Sequence, residues 1–321
     1  MRKTGLAVAL VAVLLPAVPA AALPTPVPSP TDSVPSPTPS PTTSPTKAPR
    51  PHLDRKPVTV SVTPSSGKVG VGQLITATFS SPVRFKAKAE TAMTVSADPG
   101  ESLPDGSWAW IDSRTAIYRP RDFWPGKTRI WVDLSLRRVP LNREGDTQWV
   151  GARSTTRREH FRTARSFVAR IDAKTHQMRV YRQGVLVKVF GVSLGKAGFR
   201  TRSGVKVITG EKYRWQRMTS QELGLVNESY DLQVPYAVRL TPTGEFVHGA
   251  PWAEYRIGRY NGSHGCTNLG VAESRWFYNH VQPGDVTITT RTGRRMETTN
   301  GVPGSYWNYP WRQWREMSAL R

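Results

Sequence analysis

The chain has 321 residues, a formal net charge of +22 and a single cysteine. One cysteine excludes an internal disulfide, so the two domains that this length allows must be held by ordinary apolar cores. The positive charge is spread along the chain and does not gather on one helix, which favours a solvated basic surface over a nucleic-acid site. In an exported protein, such a surface suits anionic wall polymers, acidic peptides or lipid headgroups.

Residues 1–22 have the layout of a secretory signal peptide. Arg2 and Lys3 precede an apolar stretch from Leu6 to Leu15, after which come Pro16 and a run of small residues. The apolar stretch is shorter than the roughly 20 residues that span a bilayer. This length favours a cleaved signal and an exported, extracytoplasmic protein, and an uncleaved membrane anchor is the alternative.

Two regions with different compositions follow the signal. Residues 23–57 are rich in Pro, Ser and Thr, which predicts an extended and solvated linker. Residues 58–165 contain short alternating runs between Gly and Pro turn signals, which predict an immunoglobulin-like β-sandwich. The predicted strands are VTVSVTP, QLITATFS, AMTVSA, SWAWID, TAIYRP and TRIWVDLSL. This domain shows no catalytic constellation, and we interpret it as a spacer or a substrate-positioning module.

A second β-rich domain is predicted over residues 166–293. HQMRVYRQGVLVKVFGVSLG alternates on both sides of Gln183-Gly184, which predicts a hairpin with Gly184 in its turn. Residues 271–281 form the best helix candidate. The predicted strands after the hairpin are GVKVITGEKY, YAVRLT, EFVHG and QPGDVTITTRTG.

The last segment, residues 294–321, carries Trp307, Trp311 and Trp314. Their spacing near the end predicts a short amphipathic segment that packs back on the second domain. Contact with a membrane is the alternative.

The lone cysteine, Cys266, lies in the polar, glycine-containing run YNGSHGCTNLG. A thiol becomes a nucleophile when a neighbour accepts its proton or favours the thiolate. His264 is too close along the backbone to guarantee contact, whereas His248 can approach from a separate strand. The positive end of a helix that begins at Val271 favours a lower thiol pKa. The backbone amides of Gly265 and Cys266 could form an oxyanion hole.

Two other interpretations of this segment stay open on residue patterns alone. A buried, inert cysteine would need apolar neighbours, but Ser263 and Asn268 lie nearby instead. His248, His264 and Cys266 could bind zinc, although no second cysteine or suitably spaced carboxylate completes a familiar ligand set. The pattern alone therefore favours a cysteine acyltransferase or hydrolase.

The segments FVHGAPW and SHGCTN, with an eighteen-residue step from His248 to Cys266, resemble the active-site signature of the L,D-transpeptidases of bacterial cell walls. The later segment WFYNHVQPGD resembles that family's continuation. The likeness is strongest to actinobacterial members, which join immunoglobulin-like domains to a catalytic domain and end in a wrapped C-terminal segment. It implies a mainly β fold: an immunoglobulin-like β-sandwich, then an L,D-transpeptidase catalytic β-sandwich or barrel with one or two short helices.

The resemblance also implies roles for individual residues. Cys266 would be the nucleophile and His248 its base, while the backbone carbonyl of Gly249 would orient that histidine. His264 would shape the nucleophile loop as part of the catalytic set, and Tyr230 would lie near the oxyanion pocket. The residues implied to contact substrate or to line its cleft are Tyr230, Met218, Trp252, Ser263, Gly265 and Asn268. Two positions depart from the family pattern: Gly249 stands where serine is frequent, and Arg202 where proline is common.

The implied reaction is a two-step acyl transfer without a metal or organic cofactor. The thiolate would attack the carbonyl of the third residue of a peptidoglycan tetrapeptide stem and release D-alanine, leaving a thioester. A diamino-acid side chain of a neighbouring acceptor stem would then form a 3→3 cross-link. Carbapenem β-lactams would acylate the same cysteine. The rival functions are an L,D-carboxypeptidase, in which water captures the thioester, and a non-catalytic cell-wall-binding protein.

Overall fold

The computed structural model describes residues 53–221, 224, 229–298 and 305–320. The signal-peptide prediction and nearly all of the predicted linker lie outside the described residues. Within the described part, no helix is long and apolar enough to cross a membrane.

The first domain contains eleven strands and one short helix among the residues described. The strands are β1 (Asp54–Val58), β2 (Val60–Thr63), β3 (Lys68–Val69), β4 (Ile75–Phe79), β5 (Met93–Ala97), β6 (Gly106–Trp110), β7 (Thr115–Pro120), β8 (Arg129–Ser135), β9 (Pro140–Glu144), β10 (Thr147–Gly151) and β11 (Thr156–Thr163). Helix α1 (Lys86–Thr91) lies between β4 and β5. Two four-stranded sheets, in the orders β2-β4-β7-β6 and β3-β11-β8-β5, enclose the core, and β1-β10-β9 forms a third, smaller sheet.

The alternating runs in the sequence correspond to real strands in this domain. In β2, for example, Val60 and Val62 are buried, and Ser61 and Thr63 between and after them are exposed. β1 begins at Asp54, inside the stretch whose composition suggested a linker, because it pairs in parallel with β10. The predicted mainly β fold with an immunoglobulin-like sandwich is confirmed.

The second domain contains nine strands and one α-helix within the described ranges. The strands are β12 (Phe167–Asp172), β13 (Gln177–Arg182), β14 (Val185–Gly191), β15 (Gly204–Val207), β16 (Lys212–Thr219), β17 (Asp231–Arg239), β18 (Phe246–Gly249), β19 (Thr267–Leu269) and β20 (Val286–Thr290). The helix is α2 (Val271–His280), and Pro251–Arg256 forms a 3-10 helix. The predicted hairpin is β13–β14, and its turn has positive φ at both Gln183 and Gly184, as a tight two-residue turn requires.

The two sheets of the second domain pack face to face around a shared core. One sheet has the order β14-β13-β12-β20-β15 and the other the order β16-β17-β18-β19. Ile171 and Val180 from the first sheet meet Val238 and Val247 from the second, and Phe277 of α2 joins the same cluster. The second sheet carries the residues that the sequence marks as functional.

The backbones of the two domains meet directly at a glycine-rich junction. The Gly70 amide donates to the Pro283 carbonyl at 2.7 Å, and the Gly72 amide donates to the Gly284 carbonyl at 2.8 Å. A Cβ on Gly70 would lie 2.1 Å from the backbone nitrogen of Asp285, so this approach requires glycine.

The described part of the C-terminal segment packs at the same junction. It contains a 3-10 helix (Ser305–Asn308) and helix α3 (Trp311–Glu316). Trp314 is fully buried in a cluster that includes Ala109 and Ile117 of the first domain and Val207 of the second. The sequence predicted packing on the second domain; the 3-10 helix contacts β15 of that domain, and α3 lies against β6 of the first domain. The reason is that its indole rings surround a buried cation of that domain.

That cation is Arg119 on β7. Its guanidinium donates to the carbonyls of Tyr306 and Tyr309 at 2.7 and 3.0 Å. It also lies 4.9 Å from the ring centroid of Trp314 and 5.6 Å from that of Trp307. Burial lowers the pKa of Arg119 to about 10, and the carbonyls and ring faces compensate for its lost hydration.

Candidate active site

A cleft of about 680 Å³ lies over the four-stranded sheet of the second domain. Eight of the ten predicted site residues line this cleft, and Gly249 and Gly265 lie just outside its lining. The eight are Met218, Tyr230, His248, Trp252, Ser263, His264, Cys266 and Asn268.

Parallel strand pairing brings the predicted nucleophile and base together. β18 pairs in parallel with β19, so that His248 is opposite Asn268 and Val247 is opposite Thr267. Cys266 immediately precedes β19 and lies two residues before Asn268, the partner of His248, so its side chain points to the same face of the sheet as His248, from a strand about 4.8 Å away. Two residues eighteen positions apart in the sequence thus reach the same cleft.

The ring of His248 is oriented by the backbone. Its Nδ1 lies 2.8 Å from the Gly249 carbonyl, and a carbonyl can only accept, so Nδ1 carries the proton and Nε2 remains a base. Trp252 stacks on the ring at a centroid distance of 6.1 Å. Burial lowers the pKa of His248 to about 4, so the imidazole is neutral at physiological pH.

The thiol of Cys266 is held by the segment before β18. Sγ lies 3.7 Å from the Gly244 carbonyl and donates to it, and the backbone N–H of Phe246 hydrogen-bonds to the sulfur. Burial raises the pKa of Cys266 to about 12, an effect that exceeds the stabilisation of the thiolate by the Phe246 N–H. The lowering of the thiol pKa that was expected from the positive end of α2 does not outweigh this effect of burial.

No hydrogen bond joins Sγ of Cys266 to the ring of His248 in the described structure. With a raised thiol pKa and a lowered imidazole pKa, the resting pair is a neutral thiol and a neutral imidazole.

The nucleophile loop is closed by its own hydrogen bonds. Ser263 Oγ donates to the Cys266 carbonyl at 2.6 Å and accepts from the Gly265 amide at 3.1 Å. Thr201 Oγ1 donates to the Gly265 carbonyl at 2.8 Å. Of the two amides that the sequence suggested for an oxyanion hole, that of Gly265 is therefore already engaged inside the loop.

Aromatic and apolar side chains form the walls of the cleft. The ring of His264 lies between Phe199 and Tyr230, at centroid distances of 4.9 and 5.1 Å. Met218 and Cys266 pack against the same small apolar cluster, formed by Val234, Ala237 and Phe246. Asn268 is buried, and its Oδ1 has no hydrogen-bond partner.

The charged residues at the rim of the cleft are all basic. They are Lys196, Arg217, Arg239 and Arg256. No carboxylate is among the described residues that line the cleft, although Arg217 and Arg239 are paired with Asp231 and Glu211 outside it. The lining therefore carries a positive charge that these two ion pairs partly neutralise. No group of three or more His, Cys, Asp or Glu side chains in the described ranges could hold a metal ion.

Two buried charged residues near the sulfur were not identified from the sequence. Lys206 is fully buried and Glu245 is 4% exposed, and their charged groups lie 2.8 Å apart. Arg202, the position that departs from the family pattern, also contacts Glu245.

The fold joins an immunoglobulin-like domain to a two-sheet domain whose cleft contains Cys266 and His248. Comparisons with known proteins specify the family. The model of the L,D-transpeptidase catalytic domain matches residues 166–289, and that of a bacterial Ig domain matches residues 46–140. The chain belongs to the L,D-transpeptidase family.

Individual relatives agree with this assignment. The chain is 30% identical to L,D-transpeptidase 2 of Mycobacterium tuberculosis over 263 residues, which are 80% of this chain and 62% of that protein. It is 31% identical to the probable L,D-transpeptidase 3 of the same organism over 246 residues, 71% of this chain and 84% of that one. The chain spans 62% and 54% of the lengths of L,D-transpeptidases 2 and 5, less than two thirds of each.

Solved structures show the same likeness. An L,D-transpeptidase from Mycobacterium smegmatis has a TM-score of 0.58 and 27% identity, with 74% of this chain and all of that one covered. The L,D-transpeptidase LdtMt1 in complex with imipenem has a TM-score of 0.57 and 28% identity, with coverages of 75% and 100%.

Proposed function

We propose that this protein is an L,D-transpeptidase that forms 3→3 cross-links in peptidoglycan through a thioester on Cys266. The observation that carries the proposal is that His248 on β18 and Cys266, directly before the parallel strand β19, line one cleft. Membership of the L,D-transpeptidase family supports the substrate class.

The neutral resting pair constrains how the thiol is activated. Transfer of the proton to His248 before substrate binds is strongly unfavourable, because burial disfavours both charged forms. We therefore infer general-base catalysis, in which Nε2 takes the thiol proton as sulfur bonds to the donor carbonyl. The imidazolium then returns the proton to the departing amine of D-alanine, and the thioester remains.

In the second step, the acceptor amine attacks the thioester carbonyl and loses a proton to His248. Collapse of the tetrahedral adduct forms the new amide bond of the cross-link and expels the Cys266 sulfur, which takes the proton back from His248. The thioester preserves acyl activation, so the cross-link forms without a nucleotide. The basic rim of the cleft supports binding of stem peptides, which carry carboxylates.

The proposed roles of the other site residues follow from their contacts. The Gly249 carbonyl holds the His248 tautomer, and His264 and Ser263 shape the nucleophile loop. Met218, Tyr230, Trp252 and Asn268, which line the cleft, contact the donor stem, and Gly265 supports the loop next to it.

Product masses distinguish the transpeptidase from its two rivals. The protein is incubated with a disaccharide tetrapeptide, with and without an acceptor stem. A cross-linked product with loss of D-alanine supports the proposal, and a tripeptide alone in both incubations indicates an L,D-carboxypeptidase. Cys266→Ala is expected to abolish both products, and unchanged cross-linking in that variant would disprove the assigned nucleophile.

Acylation by a carbapenem tests the reactive thiol separately. Relatives have been solved with imipenem and with a faropenem-derived adduct. We expect an imipenem adduct by intact mass on the wild type, none on Cys266→Ala, and a rate at least a hundredfold lower on His248→Gln.

We also propose that the protein is exported by a cleaved signal over residues 1–22 and acts at the cell wall, where its cross-links would help to maintain cell shape. The layout of that segment and the cell-wall function of the family support this location. N-terminal sequencing of secreted protein tests it: a sequence that starts between residues 21 and 24 is expected. Binding to anionic wall polymers is proposed from the net charge and is tested by co-sedimentation with cell walls at increasing salt.

A further inference from the structure

A buried ionic network lies behind the nucleophile. Nζ of Lys206, a fully buried residue on β15, is 2.8 Å from Oε2 of Glu245 and donates to the Arg202 carbonyl at 2.7 Å. Arg202 donates to Oε1 of Glu245 from its backbone N–H at 2.9 Å and from its guanidinium at 3.2 Å. These three residues, the Lys206–Glu245–Arg202 network, form a closed ring in which both carboxylate oxygens contact cations.

The network reaches the sulfur through the backbone of residues 244–246. The Gly244 carbonyl accepts from Sγ of Cys266, and the Phe246 N–H hydrogen-bonds to the same sulfur. Glu245 lies between these two residues, and its own side chain is anchored by two cations. The backbone groups that hold the sulfur are thus fixed by the network.

Stability alone does not account for such a network. A buried ion pair is usually no more stabilising than apolar side chains of the same volume, because desolvation offsets the attraction. Here the charges also act on the sulfur. Glu245 raises the pKa of Cys266, whereas Lys206 and Arg239 lower it. His248, the other titratable group of the pair, is neutral and adds no charge.

We propose that Lys206, Glu245 and Arg202 are positioning residues that hold the Gly244–Phe246 backbone against the sulfur and balance the charge at Cys266. The proposal rests on the proposed function only in taking Cys266 as the reactive thiol. It concerns reactivity toward any electrophile and not the identity of the acceptor.

Removing one charge at a time tests this balance. The rate at which iodoacetamide modifies Cys266 is followed by intact mass from pH 7 to 11, with Cys266→Ala as the blank. Glu245→Gln leaves Lys206 without its carboxylate partner, while Arg202 keeps its ion pair with Glu297. We expect the thiol pKa to fall by about one unit and modification at pH 8 to be about tenfold faster. Lys206→Met leaves the carboxylate partly uncompensated, so we expect a rate about tenfold lower.

Two further variants separate the charge effect from general damage. The double variant Lys206→Met/Glu245→Gln removes one charge of each sign and so keeps the net charge of the wild-type network, and we expect its rate within about threefold of the wild type. Lys212→Met is the matched control: it removes a half-buried lysine of the same domain that bonds the Tyr278 and Val281 carbonyls at the end of α2. This control should leave the thiol pKa unchanged.

The inference is overturned if both single variants shift the thiol pKa in the same direction, or if neither changes the rate more than twofold while folded. Melting temperatures establish folding. If Lys206→Met does not fold, Arg202→Gln replaces it, with a slower rate expected because one cation beside Glu245 is lost. If the two single variants shift the thiol pKa in opposite directions but the wild type forms no cross-links, the network is supported and the proposed function is refuted. If the wild type forms cross-links but the variants show no such pKa shifts, the proposed function is supported and the network is refuted.

Discussion

Replacing Trp314 by alanine is expected to loosen the junction between the two domains. The indole is fully buried, its Nε1 donates to the Ser107 carbonyl at 3.0 Å, and its ring lies 4.9 Å from the Arg119 guanidinium. Truncating a buried tryptophan costs about 3–5 kcal/mol. At about 2–4 °C per kcal/mol for a domain of this size, the melting temperature should fall by roughly 6–20 °C.

Differential scanning calorimetry measures this change, and limited trypsin digestion reports whether the junction opens. Trp215→Ala is the control, because this tryptophan on β16 is 60% exposed. Its melting temperature should stay within about 2 °C of the wild type. A Trp314→Ala protein that melts as high as the control, with an unchanged digestion pattern, would refute the reasoning about the junction.

Two further predictions concern the same junction. Burial raises the pKa of Asp285 to about 7. Because this lies above the unfolded value, the stability that the carboxyl contributes is complete below about pH 4 and is lost as pH rises through 7, by up to about 4 kcal/mol. In urea unfolding, the difference between wild type and Asp285→Asn should follow that titration, and a pH-independent difference would contradict it. Gly70→Ala, whose Cβ would meet backbone at 2.1 Å, should cost several kcal/mol in the same assay. Gly67→Ala, with positive φ but open space, should cost only about 1 kcal/mol, and equal losses would argue against the close contact.

Several of the strands that the sequence predicted correctly have one buried face. β4 and β8 alternate apolar and polar residues because one face of each contacts the core. β11 was missed because its sequence, TRREHFRT, buries only Phe161 and Thr163 and carries charged side chains at most of its other positions. The strand exists through its pairing with β8, which no local pattern encodes.

The candidate site, too, was predicted only in part from the sequence. The spacing of His248 and Cys266 predicted one shared cleft, and the structure places both residues there. The network behind the sulfur was not predictable, because Lys206 between two valines has the pattern of an outward-facing residue. Its partner Glu245 lies 39 residues later in the chain, so their pairing is a property of tertiary structure alone.

The packing of the C-terminal segment around Arg119 has a consequence for the order in which the parts of the chain are synthesised. Every described residue that lines the cleft precedes β20, whereas the tryptophans at the domain junction follow it and are synthesised later. A chain truncated after β20 would keep every described residue of the cleft but would lose the tryptophan contacts at the junction of its two domains. Residues 305–320 therefore strengthen a contact between the domains that Gly70 and Gly72 already make with Pro283 and Gly284.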